Sequence, residues 1–187
     1  MKQLALVFLV VSPLLAIFTT IIHELHNYVE WFSSLYPAIQ TYLKFHQLSY
    51  VIGFILLAIS VSKKIDQLLL YVISGSIFTH FVFYELNISN LFSWSSTLLS
   101  FVFLCALSIY IKMFDSANLF IPIYKKHIAL SIITLYSLVL LSYTTFLIEF
   151  NEIYIVSYIL LQFGLFIMFK SWYKSEFGIT TEVFTDD

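Results

Sequence analysis

Apolar residues along this chain are gathered into six long runs, and short polar stretches separate one run from the next. Each run is about 20 residues long, which as an α-helix crosses the ~30 Å hydrocarbon core of a bilayer. The pattern predicts an all-α integral membrane protein whose residues 1–174 form a six-helix transmembrane bundle. The predicted spans are residues 4–23, 43–62, 66–86, 92–112, 128–148 and 152–170, and a polar tail follows at 175–187.

The connection between the first two spans carries aromatic side chains suited to the edge of a membrane. Tyr28, Trp31, Tyr36 and Tyr42 fall within it, and Tyr and Trp are enriched at the level of the lipid headgroups. We therefore predict an outer interfacial segment between helices 1 and 2. From Pro37 onward this segment is expected to form a short helix that lies in the interface before the second span.

The lysines indicate the orientation of the six spans. With the N-terminus inside, eight lysines fall on inner segments and only Lys44 falls on an outer one. This bias follows the positive-inside rule and predicts an N-in/C-in topology. The location is then a bacterial inner membrane with both termini in the cytoplasm or, alternatively, an organellar inner membrane with both termini in the matrix. The inner lysines are Lys2, Lys63, Lys64, Lys112, Lys125, Lys126, Lys170 and Lys174.

Composition narrows the class of protein further. Hydrophobic residues make up 60% of the chain and charged residues 11%, with a mean hydropathy of +0.93, which excludes an ordinary soluble domain. The net charge of −2 and the lack of a basic stripe favour no nucleic-acid partner. A single cysteine, Cys105, excludes an internal disulfide and a cysteine-rich metal site. Because it lies in an apolar run, we expect its thiol to be packed in the core.

His80 is the only histidine well inside an apolar run, and ionisable residues within membrane spans are candidates for function. In the N-in topology, four histidines fall in the outer half of the membrane or at its outer surface, together with several glutamates. Imidazole nitrogens and carboxylate oxygens are the ligands of a metal ion, and two histidines can hold a haem b. The candidate ligands are His23, His26, His46, His80, Glu24 and Glu85.

Two other interpretations of His80 stay open. In the first, His80 only hydrogen-bonds a neighbouring helix. In the second, Ser76, His80 and Tyr84 share a polar stripe that descends from the outside and conducts protons or a small solute. No catalytic residues are predicted, because the chain has no Gly-x-Ser-x-Gly motif, no glycine-rich phosphate loop and no converging triad.

Other polar and small residues are expected to join helices. Gln162 is a lone amide in the sixth span and is expected to form an interhelical hydrogen bond. Thr134, Ser137 and Thr144 share a face of the fifth helix, where small polar residues let helices approach closely. Gly53 with Ala58, and Gly75 with its serine neighbours, are weaker versions of this pattern.

Small size, minimal soluble loops and the lack of a catalytic set favour an accessory or structural subunit of a larger membrane complex. Its expected partners are the lipid bilayer and either other membrane proteins or further copies of this chain. The alternatives are a redox protein with an outer metal or haem site, and a transport component. Size, helix count and orientation are similar to those of the substrate-binding subunits of energy-coupling vitamin transporters and of rhomboid proteases. The rhomboid Gly-x-Ser-x-Gly motif and the alanine-rich first helix of those subunits are absent, and topology alone assigns no function.

Overall fold

The computed structural model describes residues 1–28, 36–86, 89–113, 123–144 and 151–177. Within these ranges the chain forms six α-helices and no strand, which confirms the predicted all-helical fold. In chain order the helices are α1 (Lys2–Tyr28), α2 (Tyr36–Ser60), α3 (Lys64–Glu85), α4 (Ser89–Met113), α5 (Ile123–Thr144) and α6 (Asn151–Glu176).

Local chemistry accounts for several of the helix ends. In the turn between α2 and α3, the Gln67 side chain donates to the Val61 carbonyl at 2.5 Å, and the Gln67 amide donates to the Lys63 carbonyl at 3.0 Å. Glu152 lies in the first turn of α6 and Lys174 in its last turn. This placement of charge suits the helix dipole, which favours anions at the N-terminus and cations at the C-terminus.

The six helices form a closed ring. Each helix packs against the helix before it and the helix after it in sequence, and α1 also packs against α6. Among the described residues, no other pair of helices brings its backbones into contact. The contact between α4 and α5 is the sparsest of the six.

Neighbouring helices are antiparallel at every step of the ring. The N-termini of α1, α3 and α5 therefore lie at the same end as the C-termini of α2, α4 and α6. At this end the Lys2 ammonium on α1 forms an ion pair with the Glu176 carboxylate on α6, and so joins the first helix to the last. We call it the lysine end, because the lysines predicted to be on the inside all lie there.

Large aromatic side chains fill the interior beside α1, which itself contributes small and aliphatic residues. The rings of Phe54 on α2 and Phe169 on α6 meet edge to face with centroids 6.0 Å apart. Leu9 of α1 covers Gly53 of α2, since a Cβ added to that glycine would lie 2.9 Å from the Leu9 side chain. Trp172, at 1% exposure, closes this core toward the lysine end.

The outer surface of the ring is apolar. Large hydrophobic side chains are exposed on all six helices, including Phe18, Ile59, Leu68, Leu98, Leu138 and Phe163. Three helices contain a segment long and apolar enough to cross a membrane, and these segments are Lys2–Leu25, Lys64–Phe83 and Glu152–Lys174. The other three contain shorter apolar segments, Lys44–Ser60, Thr97–Lys112 and Lys126–Ser142. These features support the predicted association with a membrane.

Some details differ from the sequence predictions. Cys105 is exposed on α4, so the prediction of a packed thiol is wrong. Thr134 is exposed and donates to the Leu130 carbonyl of its own helix at 2.9 Å, so it does not join α5 to a neighbour. The predicted interfacial segment is reduced to residues 29–35, outside the described residues, because α1 continues to Tyr28 and α2 is unbroken from Tyr36.

Candidate functional site

Inside the ring, four tyrosines and one glutamine from three helices form a cluster that we call the tyrosine network. Tyr50 lies on α2 and Tyr136 on α5, whereas Tyr154, Tyr158 and Gln162 lie on α6. The three residues of α6 are spaced four apart, so that they share one face of the helix. Tyr50, Tyr136 and Gln162 are buried, and Tyr154 and Tyr158 are half-buried.

Hydrogen bonds connect members of the tyrosine network in two groups. The Tyr50 hydroxyl donates to the Gln162 carbonyl oxygen at 2.7 Å, and Tyr158 lies one turn before Gln162 on the same face of α6. In the second group, the Tyr136 hydroxyl donates to the Tyr154 hydroxyl at 3.1 Å. The ring centroids of Tyr136 and Tyr158 lie 6.0 Å apart, which brings the two groups together.

The chemistry available to the tyrosine network is hydrogen bonding without charge. Phenol and amide groups both donate and accept, and within an apolar bundle each such bond is worth more than in water. Because the network contains no imidazole, carboxylate or thiol, it has no preferred ligand for a transition metal. Its contacts hold α2, α5 and α6 in a fixed mutual position.

Only Gln162 signals this network in the sequence. The expected interhelical hydrogen bond of Gln162 is confirmed by its contact with Tyr50. Tyr154 and Tyr158 are not among the residues predicted to be functional, although their spacing of four and eight residues from Gln162 places them on its face of the helix. Tyr50 and Tyr136 carry no comparable signal, since they come from distant parts of the chain.

The histidines predicted as metal ligands lie on three different helices. His23 is half-buried on α1, His46 is buried on α2, and His80 is half-buried on α3. Among the side chains that the structure describes, no three His, Cys, Asp or Glu residues are grouped so as to hold a metal ion. The side chain of His26 lies outside the described part, and the six-residue metal site stays a prediction.

The two glutamates of the predicted metal site lie on different helices, α1 and α3. Glu85, at the end of α3, forms an ion pair with Lys44 of α2 at 2.6 Å, and Glu24 is half-buried on α1. In the predicted polar stripe, the Ser76 hydroxyl donates to the Val72 carbonyl of its own helix at 2.8 Å. The side chain of Tyr84 lies outside the described residues.

A second polar region lies at the lysine end. Asp66, in the first turn of α3, is only 6% exposed, and its Oδ1 atom is buried with no hydrogen-bond partner among the described residues. The buried Lys126 on α5 donates to the Lys112 carbonyl in the last turn of α4 at 3.3 Å. This hydrogen bond joins the two helices that otherwise have the sparsest contact.

Comparisons with protein families, with curated proteins and with solved structures find no significant similarity for this chain.

Proposed function

We propose that this chain is a six-span integral membrane protein that serves as an accessory or structural subunit of a larger membrane complex. Both termini lie on the cytoplasmic or matrix side. Support for the membrane location comes from the apolar outer surface of the ring and from the three helices long enough to cross a bilayer. The subunit role rests on one observation, the outward-facing glycine of α3.

Three described glycines lie within helices, and only two of them serve the packing of this chain. A Cβ at Gly53 would meet Leu9, and a Cβ at Gly164 would meet Ile132 at 2.8 Å, whereas a Cβ at Gly75 would meet nothing within 4 Å. Glycine weakens a helix by about 1 kcal/mol relative to alanine. Gly75 therefore has a conformational cost without a compensating contact inside the ring.

The surface around Gly75 fits a second helix. Tyr71 and Thr79 lie one turn before and one turn after Gly75, and Thr79 donates to the Gly75 carbonyl at 2.8 Å. Gly75 and Thr79 form a small-xxx-small pair, the arrangement that lets two membrane helices approach closely. The exposed side chains of Tyr71 and Phe78 lie before and after the glycine along the helix, so a partner helix would be held by packing at both positions. We call this surface the Gly75 face.

The proposal predicts that enlarging Gly75 separates the complex without unfolding the chain. In native membranes, a Gly75→Cys variant in a Cys105→Ser background should cross-link to a partner of defined mass or to a second copy. Gly75→Leu should abolish the association seen when mild detergent extracts the wild-type complex. Cys105→Leu is the matched control, since it enlarges another small, exposed residue of the ring, on α4.

Two outcomes would refute the subunit role at the Gly75 face. One is a Gly75→Leu chain that associates as the wild type does. The other is a wild-type chain that is monodisperse, single-copy and uncross-linked in its own membrane.

A further inference from the structure

Every helix of the ring has a lysine at or beside its lysine end, and the exposed ones among them include Lys64, Lys112 and Lys170. The opposite end holds one lysine in the described residues, Lys44, and this is ion-paired with Glu85. The lysine-end residues are Lys2 on α1, Lys63 after α2, Lys64 on α3, Lys112 on α4, Lys125 and Lys126 on α5, and Lys170 and Lys174 on α6.

Carboxylates do not cancel this charge in the described part of the chain. The two at the lysine end are Asp66, which is buried, and Glu176, which is bonded to Lys2. Neither the Lys2–Glu176 ion pair nor the Lys44–Glu85 ion pair involves the exposed Lys64, Lys112 or Lys170.

Each of these three exposed lysines has an exposed apolar side chain on the same helix face, one or two turns farther from the lysine end. Leu68 follows Lys64 by four residues, Ile109 precedes Lys112 by three, and Phe163 precedes Lys170 by seven. The Lys170 ammonium also lies 5.3 Å from the centroid of the Phe166 ring. A cation with an apolar surface beside it is complementary to a molecule that has an anionic head and a hydrocarbon chain.

We propose that the lysine end binds anionic phospholipids, with Lys64, Lys112 and Lys170 contacting the headgroup phosphates and the apolar neighbours contacting the acyl chains. This inference rests on the proposed membrane location. Charge complementarity selects the anionic headgroup over a zwitterionic one, because each lysine near an anionic surface contributes about 1 kcal/mol. The apolar neighbours select a lipid over a free phosphate, which would gain nothing from them.

The experiment titrates the detergent-solubilised, full-length chain with phosphatidylglycerol or with phosphatidylcholine of the same short acyl chains. Bound lipid is counted by native mass spectrometry. The wild type should retain phosphatidylglycerol in preference, and salt should weaken this binding because exposed charges are screened. Each change among Lys64→Gln, Lys112→Gln and Lys170→Gln should weaken binding roughly fivefold. Lys44→Gln, at the opposite end, should leave it unchanged.

Equal retention of the two lipids by the wild type would overturn the inference. So would a triple variant that is folded by circular dichroism and still binds phosphatidylglycerol as the wild type does. Displacement of the lipid by inorganic phosphate at equal concentration would assign the lysines to a free anion instead. The proposed membrane location is judged separately, by whether the chain stays in the membrane after alkaline extraction.

Discussion

The hydroxyl of Tyr50 is a buried donor whose acceptor, the Gln162 carbonyl oxygen, is buried as well. Tyr50→Phe removes this donor and leaves the acceptor without it. We expect the free energy of unfolding to fall by about 1 kcal/mol, because a buried group that loses its hydrogen bond keeps the cost of desolvation. Thermal unfolding in a mild detergent measures the change.

Tyr71→Phe is the control for this prediction, since Tyr71 is an exposed tyrosine on α3. Its unfolding midpoint should match that of the wild type. If Tyr50→Phe is as stable as Tyr71→Phe, the tyrosine network does not stabilise the fold.

At Asp66 we expect a substitution to stabilise the fold rather than to destabilise it. A buried polar atom without a partner costs about 1–3 kcal/mol, whereas a carboxylate in the first turn of a helix gains only about 0.3–1 kcal/mol from the dipole. Asparagine keeps an oxygen at this position but removes the negative charge, and burying a charge costs more than burying a neutral amide. We therefore expect Asp66→Asn to raise the free energy of unfolding by about 1 kcal/mol. Glu152→Gln, which changes an exposed carboxylate in the first turn of α6, should lower it slightly. A destabilised Asp66→Asn would mean that the carboxylate has a stabilising partner in the folded protein.

Single residues were the least predictable part of this molecule. A helix that faces both lipid and a packed interior is apolar on every side, so hydrophobicity does not reveal which side is buried. For this reason the sequence predicts a packed thiol at Cys105, although the residue is exposed. The role of Gln162 is easier to predict, because an amide in an apolar run must find a hydrogen-bond partner on whichever side of the helix it lies.

The close approach of α1 and α2 depends on Gly53. A side chain at this position would meet Leu9 at 2.9 Å and the Phe8 Cβ atom at 3.2 Å, so Gly53→Val must displace α1. We expect a loss of about 1–3 kcal/mol in the free energy of unfolding, as is typical of overpacking. Denaturant unfolding of the purified chain measures it.

Gly75→Val is the internal comparison, because it makes the same substitution on a helix where the added atoms meet open space. The intrinsic penalty of valine in a helix is then common to both variants. Equal stability of Gly53→Val and Gly75→Val would show that the contact between α1 and α2 tolerates a larger residue.

The six helices can be predicted from the sequence. A long apolar run in an apolar environment has few ways other than a helix to satisfy its backbone hydrogen-bonding groups. The clearest difference is at Pro37. The sequence predicts that a short interfacial helix begins at Pro37 and ends before the second span, but Pro37 occupies the second position of α2, which continues unbroken to Ser60. The first turn of a helix tolerates proline, since its backbone nitrogen needs no partner there.

For the whole molecule, the distribution of lysines makes a prediction about topology. In a Cys105→Ser background, an impermeant maleimide applied to intact cells should label Glu152→Cys, at the end opposite the lysines, and spare Lys64→Cys. Inverted vesicles should show the reverse. Labelling of both positions from the same side would contradict the proposed six-span topology with both termini inside.

Closure of the ring was not visible in the sequence. The halves of the chain share no repeat, and the contact between α1 and α6 joins segments that are far apart along the chain. The ion pair of Lys2 with Glu176 could not be singled out either, because the chain offers many lysines and glutamates near helix ends. Long-range pairing of this kind needs three-dimensional information.

That closure has a consequence for biosynthesis. The ribosome adds residues at about 5–20 per second, so on the order of 10 s separates the emergence of α1 from that of α6. During this interval α1 has only α2 beside it, and α5 has only its sparse contact with α4. A chain that stops before α6 leaves uncovered the sides of α1 and α5 that α6 would contact. We therefore expect nascent chains that stop before α6 to be cleared by membrane proteases, whereas the finished chain is protected once its last helix meets its first.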